Sequence, residues 1–75
     1  MTHIIVGTQP NCQPCRLTKR KLSSMGIAFA EVDLTSSDEL APVIDAHGYT
    51  QAPIVLNTST GESWSGYRPD RLAAL

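Results

Sequence analysis

Ile4-Ile5-Val6-Gly7-Thr8-Gln9-Pro10-Asn11-Cys12-Gln13-Pro14-Cys15 holds the most telling local pattern in the chain. It begins as a short β-branched apolar run from His3 to Val6, the pattern of a buried strand, closed by Gly7 and by Pro10 in the following loop. It ends on the chain's only two cysteines, at the start of a helix-like stretch. Two intervening residues let the sulfurs meet within the first turn of a helix. Free amide N–H groups and the macrodipole at a helix start favour the thiolate, which is the reactive species. A Cys-x-x-Cys pair at the tip of a strand–helix unit therefore points to dithiol–disulfide chemistry.

Gln13 to Met25 reads as a helix, with Pro14 in its first turn and Gly26 as its stop. Thr18, Leu22 and Met25 share one face, while Arg16, Lys19 and Arg20 lie on another. Ala28 to Asp33 alternates as a second strand. Ser36 and Glu39 stand at capping-box spacing before a second helix, whose face is Leu40, Val43, Ile44 and His47 and whose end is Gly48. Pro42 leaves two starts open: near Ser37 with a kink at the proline, or near Ala41 with the proline in the first turn. Pro53 to Asn57 is a third strand, Thr58-Ser59-Thr60-Gly61 a hairpin turn, and Glu62 to Ser65 a fourth strand. Pro69 opens a last helix through Leu75. The order β-α-β-α-β-β-α predicts an α/β fold, a mixed four-stranded sheet with helices on both faces. That is the minimal thioredoxin-like architecture, in one domain over residues 1–75.

Composition bounds the function. A chain of 75 residues buries only ~60% of its potential surface, so the core is thin. Apolar residues at 41% and charged residues at 17% argue against disorder. A formal charge of −1 gives no general attraction to nucleic acid or an anionic membrane. No apolar run approaches the ~20 residues that span a bilayer. Thr2-His3 lacks the charged start of a secretory signal, so the expected compartment is a reducing cytoplasm, where a cycling disulfide is favoured over a structural one.

Cys12, at the helix cap and the more exposed of the pair, is expected to attack. Cys15, one turn in, is expected to resolve the mixed disulfide. Arg16 and Lys19 add positive charge nearby. The competing readings are a metal half-site or inert buried thiols; a zinc site needs four ligands, and His3 and His47 are poorly placed to complete one. Pro53 opens a strand. A cis Ala52–Pro53 bond would leave backbone groups free beside the thiols to pair with an extended substrate, whereas a trans bond would merely block an edge; the residues alone leave both open. Trp64-Ser65-Gly66-Tyr67-Arg68-Pro69-Asp70 serves either packing or binding: backbone N–H groups at the helix start could hold an anion or orient a partner loop, Arg68 or Asp70 could pair across the turn, and Arg68 is the expected contact. His47 reads as a packing residue or a partner of the helix dipole. Lys19-Arg20-Lys21 reads as a solvated face that could steer an acidic partner towards Cys12.

Three blocks together, Thr8 to Cys15, Gly48 to Pro53 and Trp64 to Asp70, resemble the NrdH-redoxins, small glutaredoxin-like proteins that behave like thioredoxins. The similarity runs nearly end to end, and the Trp64-Ser65-Gly66-Tyr67-Arg68-Pro69-Asp70 block is its most specific part. The resemblance implies a thioredoxin-like fold and a cis Pro53. It implies a monomer that binds no cofactor and cycles a Cys12–Cys15 disulfide. Its electrons would come from NADPH through thioredoxin reductase, and its client would be a class Ib ribonucleotide reductase. The family usually carries Cys-x-Gln-Cys; here Gln13-Pro14 fills the gap, with proline where thioredoxins have it, and these residues bear on the reduction potential. Two rival functions are a glutathione-dependent glutaredoxin and a redox-silent binding module. Gln9 before the cysteines, and Ser65-Gly66 followed by Tyr67-Arg68-Pro69, weaken a glutathione site. Keeping both cysteines at working spacing argues against a silent module.

Overall fold

The computed structural model describes residues 3–75, so Thr2 of the Thr2-His3 pair weighed against a secretory signal lies outside them. Strands β1 (Ile4–Thr8), β2 (Ala30–Asp33), β3 (Ile54–Asn57) and β4 (Ser63–Ser65) alternate with helices α1 (Gln13–Ser24), α2 (Ala41–His47) and α3 (Pro69–Ala73) in the expected order. The sheet runs β2-β1-β3-β4. β1 is parallel to β2 and antiparallel to β3, and β3 is antiparallel to β4.

The period of two in β1 builds two cores. Ile4 and Val6 face Leu22 of α1 and Leu72 of α3, with Val55 and Trp64 beside them. Ile5 faces the other way, with Ile54, Leu40 and, less deeply, Ile44 of α2. Val6, Val55 and Trp64 are directly opposed across three strands, which fixes the tryptophan in the first core. Each such side chain contributes about 1.5–3 kcal/mol when fully buried.

Several boundaries moved, for tertiary reasons. Gly7 was expected to close β1, yet it lies inside the strand, which runs on to Thr8. The side chains of Leu34 and Leu40 fill the space where a Cβ would stand, with Leu40 Cδ1 only 2.5 Å from that position. β2 starts at Ala30 rather than Ala28, because the ladder begins where Ala30 meets Ile5. α2 takes the later of its two starts, with Pro42 in the first turn. The Ser36–Glu39 box is unused: buried Leu40 occupies the cap position, and Ser37 Oγ accepts its N–H at 3.4 Å. β3 and β4 each begin one residue late, α1 stops at Ser24, and α3 stops at Ala73. His47 is exposed at the end of α2 and stacks on Tyr49, ring centroids 5.0 Å apart.

Candidate active site

The β1–α1 connection presents the cysteines. Asn11 has φ +57°, the only non-glycine residue in the left-handed region among the described residues. Asparagine tolerates that conformation better than most side chains do. The turn leaves Cys12 extended as the N-cap of α1, where its sulfur accepts the Cys15 N–H at 3.1 Å. The Arg16 N–H reaches the Cys12 carbonyl at 3.3 Å and closes the first turn. No carboxylate lies in that turn to oppose negative charge on sulfur. Cys12 and Cys15 are joined by a disulfide, their Cα atoms 5.3 Å apart. Cys12 is 8% exposed and Cys15 2%, so the order of access is the expected one although both are largely covered. Ala52 and Leu34 pack against the pair.

Cys12 opens into a groove of about 700 Å³, with Asn11 and Gln13 on one wall and Gln51, Ala52 and Tyr67 on the other. The Ala52–Pro53 peptide is cis, as the resemblance implied, and Pro53 is buried. The Pro53 carbonyl accepts the Gly66 N–H at 2.8 Å, and Ser65 Oγ donates to the Gln51 carbonyl at 2.8 Å. These two bonds hold the turn after β4 against the segment before β3. Among the described residues, no hydrogen bond engages the backbone of Ala52 itself.

The Trp64–Asp70 block divides by depth. Trp64 is 4% exposed and belongs to the core, with the Arg71 guanidinium 5.0 Å from its ring. Tyr67 packs half-buried on that core and reaches the groove. Arg68 is exposed and pairs with Asp70 across the turn, Nε to Oδ1 at 3.4 Å. The hydrogen bond that Arg68 Nη2 donates to Asp70 Oδ2, at 3.5 Å, is the main reason the Asp70 carboxyl lies below its ordinary range.

Lys19 is a correction. It adds no free charge beside Cys12, because its ammonium lies 3.0 Å from Glu31 Oε2. Thr8 Oγ1 donates to the same oxygen at 3.0 Å, so one carboxylate ties β1, β2 and α1 together. The Lys19 bond first, and the Thr8 bond second, lower the Glu31 pKa.

Sequence reasoning missed Asn11, Leu34 and Gln51. Pro10-Asn11 did carry a turn signal. Leu34, a lone apolar residue among polar ones after β2, was a weaker sign, and Gln51 had none beyond its place in the Gly48 to Pro53 block. At the other end of the sheet a hollow of about 470 Å³ lies among His3, Ile27, Asn57, Arg71 and Leu75, away from both cysteines. Among the described residues, no cluster of three or more His, Cys, Asp or Glu is arranged to hold a metal ion. Among the described residues, no helix is long and apolar enough to cross a membrane.

Comparison with known proteins agrees with this geometry. The glutaredoxin family model matches residues 4–58. The glutaredoxin-like protein NrdH of Salmonella typhimurium is 36% identical, over 96% of this chain and 86% of its own length. The NrdH protein of Lactococcus lactis is 32% identical, over 96% of this chain and 97% of its own. Among solved structures, the NrdH-redoxin of Escherichia coli superposes with a TM-score of 0.80 at 33% identity, covering 96% of this chain and 92% of that one. It is described as a glutaredoxin-like protein with a thioredoxin-like activity profile.

Proposed function

This chain belongs to the glutaredoxin family, among the NrdH glutaredoxin-like proteins, and is a thiol–disulfide oxidoreductase; on that premise we propose that it is a small electron donor, recharged by thioredoxin reductase and spent on protein disulfides. The observation that carries the chemistry is Cys12 at the α1 cap, its sulfur held by the Cys15 N–H at 3.1 Å and open to the groove. In the dithiol form, the Cys12 thiolate attacks one sulfur of a client disulfide. A mixed disulfide forms, and the other client sulfur leaves as a thiolate that takes up a proton. Cys15 then loses its proton and attacks Cys12, which restores the Cys12–Cys15 bond and releases the second client thiol. One disulfide is reduced as one dithiol is oxidised, with two electrons transferred. Thioredoxin reductase, drawing on NADPH, reverses the change in this protein.

Ala52 and Pro53 border the groove, and the unengaged Ala52 backbone suits a client segment that adds as a short strand. Ser65, Gly66, Tyr67, Arg68 and Asp70 form the rim against which a protein partner docks, and Trp64 holds that rim from the core. Three features favour a protein reductant over glutathione. Gln9 carries no charge, Pro69 offers no N–H at the start of α3, and Arg68 is already paired with Asp70. Kinship with NrdH proteins supports a class Ib ribonucleotide reductase as the client, a cytoplasmic setting and a monomeric carrier.

NADPH oxidation with a disulfide substrate tests the reading, comparing thioredoxin reductase with glutathione plus glutathione reductase. Rapid turnover is expected with the first and slow turnover with the second; efficient turnover with glutathione alone would make the protein a glutaredoxin in function. Cys12→Ser should abolish reductase activity, and Cys15→Ser should trap the mixed disulfide. Preferential alkylation of Cys15 in the reduced protein would reverse the two roles.

A further inference from the structure

All three cations without a carboxylate partner among the described residues, Arg16, Arg20 and Lys21, lie on α1. The remaining Lys and Arg residues are paired: Lys19 with Glu31, Arg68 with Asp70, and Arg71 with Glu62. The carboxylates left without a cation are distributed the other way. Asp33 is engaged by Thr35, while Asp38, Glu39 and Asp45 lie on α2 and its lead-in, across the sheet from α1. A net charge of −1 thus conceals a cationic helix on one face and an anionic one on the other.

Arg16 and Arg20 are four residues apart and share one side of α1 with Gln13, which lines the groove at Cys12. Both arginines are exposed, on the side away from buried Thr18 and Leu22. At 1.5 Å of rise per residue, they stand about 6 and 12 Å along the helix from Cys12. That is within or close to one Debye length at ~0.1 M salt.

We propose that this strip is a docking surface for an acidic patch beside the partner's disulfide, and that it selects clients whose carboxylates lie one and two helical turns from the attacked sulfur. The inference rests on the electron-donor reading above and adds to it a rule for choosing the client. A nucleic acid fits less well. Tight binding to DNA commonly engages some 6–10 phosphates, and the acidic face across the sheet would repel a polyanion. A folded protein can instead present two or three carboxylates at that spacing while its disulfide enters the groove.

The test uses three cyclic disulfide peptides that differ only in two flanking positions, Glu, Gln or Lys, each reduced by the dithiol form of the 75-residue chain. At low salt the Glu peptide is expected to react about two- to thirtyfold faster than the Lys peptide, from two exposed charge contacts. High salt should collapse that ratio. Arg16→Glu/Arg20→Glu should invert it, and Arg16→Gln/Arg20→Gln should bring it close to one if the reversal fails to fold. A ratio cancels any change these substitutions make to Cys12 itself. Asp38→Asn/Asp45→Asn raises the net charge on the other face and should leave the ratio alone. A ratio that ignores the arginine changes, or follows the aspartate changes equally, overturns the docking strip while leaving the electron donor intact. No reduction of any peptide, the Gln peptide included, would remove both readings. Competition by a DNA oligonucleotide that Arg16→Gln/Arg20→Gln abolishes would reassign the strip to nucleic acid.

Discussion

Gly7→Ala adds a single methyl group where the structure has no room for one. The new Cβ would sit 2.5 Å from Leu40 Cδ1 and 3.1 Å from Leu34 Cγ, against an ordinary carbon–carbon contact of ~3.5–4.0 Å. Leu40 is fully buried, so the shift falls mainly on half-buried Leu34. Overpacking of this kind typically destabilises by ~1–3 kcal/mol. Replacing a strand glycine returns ~0.5–1 kcal/mol of backbone entropy. The net expectation is about 1–2 kcal/mol of destabilisation, or roughly 4–16 °C in Tm for a domain of this size. Thermal and urea unfolding of the oxidised protein, followed by circular dichroism, would measure it. Because Leu34 also packs on the Cys12–Cys15 pair, Leu34→Ala should relieve part of the clash, and the double variant should be more stable than the two single losses added together. A Gly7→Ala protein as stable as the parent, or strict additivity with Leu34→Ala, would refute the packing argument.

Leu22→Ala removes a fully buried side chain from the α1 core and should destabilise by ~2–5 kcal/mol, a large share of what so small a domain holds; urea titration gives the value. At Asn11, with its φ of +57°, Val should destabilise by ~1–2 kcal/mol while Gly should be neutral or better, again read from urea midpoints. The Glu31 carboxyl is lowered chiefly by Lys19 and then by Thr8, so its stabilisation is present above the unfolded value near pH ~4.3 and is lost as pH falls through the lower folded value. Glu31→Gln should therefore flatten the acid limb of the stability–pH profile while changing neutral stability by less than ~1 kcal/mol, since the side chain is 44% exposed. An unchanged acid limb would mean that the Lys19–Glu31–Thr8 contact does not form in solution.

The sequence alone carries the order of elements, because strand and helix periods, proline at first turns and glycine after helix ends are local signals that need no partner. It also determined the chemistry: two cysteines separated by two residues at a helix start lie within reach of each other and of free N–H groups in any fold that keeps the helix. What it could not determine was whatever depends on contacts between distant segments. Gly7 reads locally as a strand end and proves to be the floor beneath Leu34 and Leu40. Ser36 and Glu39 read as a cap, yet the burial of Leu40 set where α2 begins. Trp64 admitted packing or contact until its place opposite Val55 put it in the core. Lys19 looked free until β2 brought Glu31 beside it, and that pairing is what leaves Arg16 and Arg20 as the open charges on their side of α1. Local signals act over a few residues; burial and charge pairing are decided only once strands from different parts of the chain lie side by side.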